Sequence, residues 1–261
     1  MPIDEHVIED ENTLSTSIVH LINPKTGREI HLVSSSHIGS PLYYGQIKRR
    51  LQGLDYVLHE SGTNRHYEKL ADIKKRHHNA RIDKALREAV RNGVFTKQKA
   101  LNIGQILKER MAVIGQTEGI DYHNLPTNWV ECDLSDKEIV ADLNPQELML
   151  LMGHTISSSI SSYLPRLIAD RIANWSDGYL GKFLQSPQAE QKNREREAKV
   201  YRKIEELESI PSAMKIGILY GPKHMQHVET QLKSRGYVRN PDKPIEYLEA
   251  FKKRIEAALD R

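Results

Sequence analysis

The residues best suited to chemistry lie near opposite ends of the chain, in Val33-Ser34-Ser35-Ser36-His37 and in Leu219-Tyr220-Gly221-Pro222-Lys223-His224. Each stretch reads as the carboxyl end of a strand running into a helix, with a histidine just past the strand. Asp55-Tyr56-Val57-Leu58-His59-Glu60 brings a further short strand to an end on a carboxylate. In open α/β sheets ligands bind outside the carboxyl ends of the strands, so His37, Glu60 and His224 are expected on one rim. Two imidazoles and one carboxylate leave coordination positions open for water, the arrangement a hydrolytic metal site needs. The spacing alone is ambiguous: no His-Glu-x-x-His helix is present, and any one of the 12 histidines could equally be a surface or capped side chain.

These residues need a sheet to hold them. Ser15 to Ile22 and Glu29 to Ser35 are rich in β-formers and flank Asn23-Pro24-Lys25-Thr26-Gly27, a hairpin turn by its Pro and Gly. Ser40-Pro41 supplies an N-cap and a first-turn proline; Tyr43, Ile47 and Leu51 recur every four residues, and Gly53 ends the predicted helix. The strand that ends at Glu60 is expected to run parallel to Glu29 to Ser35 and to pair with that first unit. Near the other end, Lys215 to Tyr220 reads as a strand and His224 to Arg235 as a helix stopped by Gly236. A last amphipathic helix is predicted from Ile245 to Ala258, with Leu248, Phe251, Ile255 and Leu259 on one face.

From Asn64 to Ser209 the pattern is mostly helical, with candidate helices at Lys84 to Arg91, Lys97 to Ile114, Ser135 to Met152, Ser159 to Ala173 and Gln188 to Leu207. Ser135 and Glu138 form a capping box, and Asn128 to Cys132 is an extended piece. The expected fold is therefore α/β: a central mixed β-sheet built from two similar β-α halves, N- and C-terminal, with a large helical insertion between them. One domain over 1–261 would comprise 14–63, 64–209 and 210–261.

Composition narrows the classes. With 261 residues, 38% of them hydrophobic, the chain can bury a sizeable core and is not of disordered composition. A single Cys excludes an intrachain disulfide framework and a multi-Cys zinc site, which favours a reducing compartment. Met1 to Asn12 is acidic and lacks the apolar core of a secretory signal. The longest apolar run, Leu148 to Met152, is far short of the roughly 20 residues that span a bilayer. A soluble, cytoplasmic protein is expected. The formal charge of +3 is only a weak pull towards anionic partners.

The stretch from His37 through Tyr43-Tyr44 to Val57-Leu58-His59-Glu60, and that from Tyr220-Gly221-Pro222-Lys223-His224-Met225 to Gly236-Tyr237, resemble the paired halves of the TraB/PrgY and Tiki superfamily. That superfamily, related to the EreA/ChaN group, carries two glycine-x-x-histidine motifs and a glutamate. Gln116, Ile120-Asp121-Tyr122 and Trp129 to Ser135 resemble the middle of TraB-like bacterial proteins, so the likeness runs from about His31 to Ala250. It implies that His37 and His224 are the family histidines and Glu60 the glutamate. It further implies that Asp133 is the central aspartate and Arg196 the family arginine, with Arg194 a near competitor.

The Tiki branch implies metal-dependent peptide hydrolysis with manganese or cobalt. His37, Glu60 and His224 would then hold a divalent ion; Glu60 would instead take the water's proton if Asp133 completed the coordination. Arg196 would stabilise an oxyanion or grip a substrate carboxylate. The substrate would be a peptide or a small carbonyl compound, and a homodimer is the assembly allowed for. The TraB/PrgY branch, linked to pheromone shutdown, implies instead a binder of a peptide or haem-like ligand without turnover. The chain departs from the family pattern at Ser34, which replaces a glycine; at Glu197, where asparagine is usual; and at Gln226-His227, which replaces proline-glycine.

Other features carry less. Lys74-Lys75-Arg76-His77-His78 could contact nucleic acid but reads more simply as a solvated helix end, so nucleic acid is not the expected partner. Ser157 to Ser162 lacks a nucleophile elbow. Cys132 has no activating neighbour and reads as a packing residue, Trp129 and Trp175 read as core or lid, and Arg196 alone could be an exposed ion pair.

Overall fold

The computed structural model describes residues 5–9, 13–60, 114–122, 124–134, 138 and 187–252. Lys84 to Arg91, Lys97 to Ile114 apart from its last residue, Ser159 to Ala173, the basic run at Lys74, the serines from Ser157 and Trp175 lie outside them. So does the helix expected over Ser135 to Met152, apart from Glu138. The chain divides into two compact units, one of Met1–Gly62, Val113–Asp133 and Arg194–Arg261, the other of Thr63–Ala112 and Leu134–Asn193. Most described residues belong to the first.

The described elements in chain order are β1 (Val7–Glu9), β2 (Thr13–Ile22), β3 (Glu29–Ser34), β4 (Ile38–Gly39), α1 (Pro41–Leu51), β5 (Tyr56–His59), β6 (Ile114–Gly115) and α2 (Gln116–Ile120). They continue with β7 (Trp129–Glu131), α3 (Pro187–Glu208), β8 (Lys215–Tyr220), α4 (Pro222–Ser234), β9 (Val238–Arg239) and β10 (Glu246–Lys252). Eight strands form one mixed sheet. Its parallel part runs β3-β8-β5-β7. Antiparallel β2 extends it beyond β3, and β10 and β9 pair with the opposite edge of β2. β1 pairs with the first half of β2, and β4 and β6 make a separate two-stranded piece.

Local chemistry explains the joints. Between β2 and β3 the Thr26 and Gly27 amides donate to the Asn23 carbonyl, and Gly27 takes a φ of +72°, a conformation that costs other residues a Cβ clash. The buried Arg28 then donates from Nε to the Ala213 carbonyl at 2.7 Å, tying the hairpin to the approach of β8. The Ser40 side chain caps α1 by accepting from the Tyr43 amide, Pro41 opens the helix, and Tyr43, Tyr44, Ile47 and Leu51 are buried.

Both faces of β8 are covered, which suits its nearly continuous apolar run. Ile216, Ile218 and Tyr220 join Val200, Ile204 and Leu207 of α3 and Met225, Val228 and Leu232 of α4 in one core. Each such fully buried side chain contributes roughly 1.5–3 kcal/mol. On the other face a Cβ at Gly217 would lie 2.7 Å from Leu51 and 2.8 Å from Leu54, so the end of α1 comes up against the strand where the side chain is missing.

Two expectations need correction. β5 is parallel to β3 but does not pair with it, because β8 lies between them with hydrogen bonds to both. The segment expected to open a last helix at Ile245 is the strand β10, antiparallel to β2. Residues beyond its end, 253–261, lie outside the described set. Among the described residues no helix is long and apolar enough to cross a membrane.

Candidate functional site

Four parallel strands bring four chain segments to the same edge. The Ser35 amide donates to the Tyr220 carbonyl at 2.9 Å, that of Glu60 to Leu219 at 3.1 Å, and that of Cys132 to His59 at 3.0 Å. These bonds hold the ends of β3, β8, β5 and β7 level, and Glu60, Asp133 and the start of α4 follow directly from them. This is the crevice at the carboxyl ends of the strands where α/β sheets bind ligands.

Arg196 of α3 enters that crevice as a hub. Its Nε donates to Asp133 Oδ1 at 2.7 Å and its Nη2 to Oδ2 at 2.9 Å, the two-pronged pairing for which a planar guanidinium is suited. The same Nη2 donates to Glu60 Oε1. Nη1 faces His224 Nε2 at 3.3 Å. The second Glu60 oxygen accepts the Gly221 amide at 3.2 Å, and Lys199 Nζ donates to the Asp133 carbonyl at 3.1 Å. Glu60, Asp133 and His224 are all buried.

The electrostatics follow from that packing. Burial by itself would push the Glu60 carboxyl up. The charge of Arg196, with smaller contributions from His37 and His224 and the Arg196 hydrogen bond, outweighs burial and holds the group at about 2. Arg196 is likewise pressed towards neutrality by burial, but the carboxylates of Glu60 and Asp133 carry its pKa well above the usual arginine value. Burial pushes the Cys132 thiol up to about 12, which suits a packing residue and not a nucleophile.

His224 is gripped from three sides. Its Nδ1 lies 3.0 Å from Oε1 of the buried Glu197, its Nε2 meets Arg196, and its ring packs edge-on to Tyr220 with centroids 5.8 Å apart. Tyr220 is fixed in turn by donating its hydroxyl to the Cys132 carbonyl. The other Glu197 oxygen lies 3.5 Å from Nδ1 of the exposed His227.

His37 sits on the exposed rim. Its carbonyl accepts the Gln116 amide at 2.8 Å, and its Nδ1 pairs with Gln116 Oε1 at 3.1 Å. Gln116 is buried and donates from Nε2 to Tyr122 Oη at 2.8 Å and to Ser35 Oγ at 3.3 Å. The hydroxyl of Ser34, at the position expected to be glycine, is buried with no hydrogen-bond partner.

Of the residues expected from sequence, Glu60, Asp133, Arg196 and His224 thus meet in one hydrogen-bonded cluster, and His37 stands at its rim within electrostatic reach of Glu60. Arg194, the competitor of Arg196, is exposed on α3. Gln116 and Glu197 acquire contacts that spacing does not reveal: one opens a five-residue helix and the other lies within a charged run. Among the described residues no three His, Cys, Asp or Glu side chains converge tightly enough to grip an ion as they stand. The donor chemistry suits a divalent cation all the same: two buried carboxylates, Glu60 and Asp133, face one guanidinium, and His224 has its Nδ1 engaged by a third, Glu197. No protein-family model matches the chain, and no curated protein matches it.

Proposed function

We propose that the protein is a metal-dependent hydrolase of TraB/PrgY–Tiki type, acting in the cytoplasm on a peptide or another small carbonyl substrate. In this reading the sheet derives from two similar β-α halves, β3 with α1 and β8 with α4, separated by a helical insertion. Both helices begin with proline in the first turn, and the two strands are parallel neighbours. The observation that carries the functional reading is the meeting of Glu60, Asp133, Arg196 and His224 at the carboxyl edge of the parallel strands.

His37, Glu60 and His224 would hold the ion, manganese or cobalt by the family resemblance. When bound, such an ion polarises a carbonyl and makes its water more acidic. The chain supplies the rest. Glu60, ionised down to about pH 2, offers a carboxylate ligand at neutral pH; it would take the water's proton instead only if Asp133 completed the coordination. Asp133 occupies two edges of Arg196 and so fixes the guanidinium plane. The Nη1 donor, which faces a ring nitrogen of His224 where the other edges face carboxylates, is the edge best placed to donate to a developing oxyanion.

One feature favours a second reading, a binder of a peptide or haem-like ligand without turnover: a Glu60 oxygen is already taken by Arg196. A peptide library incubated with the full chain and Mn²⁺ or Co²⁺ separates the two. Steady product formation, reduced at least about 100-fold in Glu60→Gln, is expected of the hydrolase; binding with no product from any peptide would reject it.

A further inference from the structure

We propose that Glu197 is a positioning residue that fixes His224 in the Nδ1–H tautomer, keeping the Nε2 lone pair turned into the site. The inference follows from what the neighbours of His224 can donate and accept. A guanidinium has five N–H donors and no acceptor, so the 3.3 Å contact from Arg196 Nη1 requires His224 Nε2 to be the accepting nitrogen. A neutral ring then carries its proton on Nδ1, where Glu197 Oε1 stands 3.0 Å away to receive it. An imidazolium would set N–H against N–H at Arg196.

Which imidazole nitrogen carries the proton is decided by the hydrogen bond its other nitrogen makes. Here consecutive residues of α3, Arg196 and Glu197, take opposite edges of one ring, while Tyr220 limits its tilt. Glu197 is itself buried, so its carboxylate is a fixed acceptor and not one of the solvated charges that the surrounding helix mostly carries. Glu197 therefore gives His224 a charged partner, of the kind that orients ligating histidines and raises their basicity. The positioning role rests on the reading of His224 as a metal ligand; the tautomer does not.

The test uses the full chain, labelled with ¹⁵N and free of metal, at a pH where the ring is neutral. Long-range ¹H–¹⁵N correlation spectra distinguish protonated from bare ring nitrogens, and the His224 signals are identified by their loss in His224→Gln. Wild type and Glu197→Gln, whose amide oxygen can still accept, are expected to show protonated Nδ1 and bare Nε2. Glu197→Ala is expected to turn a single Nδ1–H form into a mixture with Nε2–H, short of full reversal because Arg196 still disfavours a proton on Nε2, with the other histidine signals reporting an intact fold; Glu197→Leu serves in its place if the alanine variant does not fold. Mn²⁺ affinity is expected to fall about 10- to 100-fold in Glu197→Ala and by less in Glu197→Gln. An Nε2–H ring in the wild type, or an unchanged tautomer without the acceptor, would overturn the proposal. If the tautomer pattern holds while Mn²⁺ binds to none of the variants or the wild type, the lock stands and the metal-ligand reading of His224 is what fails.

Discussion

Arg196 balances two buried carboxylates with one charge, so removing that charge should be costly. Arg196→Met leaves Glu60 and Asp133 as buried neighbours without their counter-ion. The expected loss is about 3–5 kcal/mol, read by urea denaturation at pH 7. Acid should act through the same cluster. Glu60 is held at about 2 against an ordinary 4.5, so its contribution is fully present above pH 4.5 and is lost as pH falls from there towards 2. Glu60→Gln should flatten stability against pH over that window; an unchanged acid limb would mean that Glu60 is not held down. Glu229, Glu29 and Glu246 are also held below the usual range and should keep part of the limb in place. His37, Glu60 and His224 were legible because each follows a readable strand. Asp133 and Arg196 were legible only through a family resemblance. Glu197 was not, since its burial depends on where α3 packs.

At the scale of elements, turns and caps were the most legible features, because their chemistry is local. The hairpin at Asn23 to Gly27 and the Ser40-Pro41 start of α1 form as their residues suggest. β10 was misread for a physical reason. Tyr247 is exposed while Leu248 and Ala250 are buried, a two-residue alternation, but the register shift between Glu249 and Phe251 buries Phe251 as well. A bulge of this kind puts buried residues three apart and imitates helical spacing. The short helix α2 shows how an element sets the site. A Cβ on Gly119 would lie 2.1 Å from Cδ2 and 2.4 Å from Cγ of the fully buried Tyr44, so α2 rests directly on α1. Gly119→Ala must displace one of the two, at an expected roughly 1–3 kcal/mol in urea denaturation. It should also weaken the hold of Gln116 on His37, because Gln116 opens the same helix.

For the molecule as a whole, the decisive feature is the place of β8, a late strand inserted between β3 and β5 from the beginning of the chain. Local pattern could place the strand but not its neighbours, because strand order is set by which faces and edges remain to be covered after the helices pack. With β8 in the middle, Glu60 just past β5 and His224 in the first turn of α4 follow adjacent strand ends, and His37 flanks them from beyond the end of β3. The proposed ligands thus come from both ends of the sequence and exist as a set only in the folded chain, so that metal binding, as proposed, would be coupled to folding. Metal content is therefore the most direct measurement: the purified full chain, equilibrated with Mn²⁺ or Co²⁺ and freed of excess, compared with His37→Ala and His224→Ala. The wild type is expected to retain about one ion per chain, as one site of this kind holds, and both variants to lose most of it; equal metal in all three would contradict the proposed site.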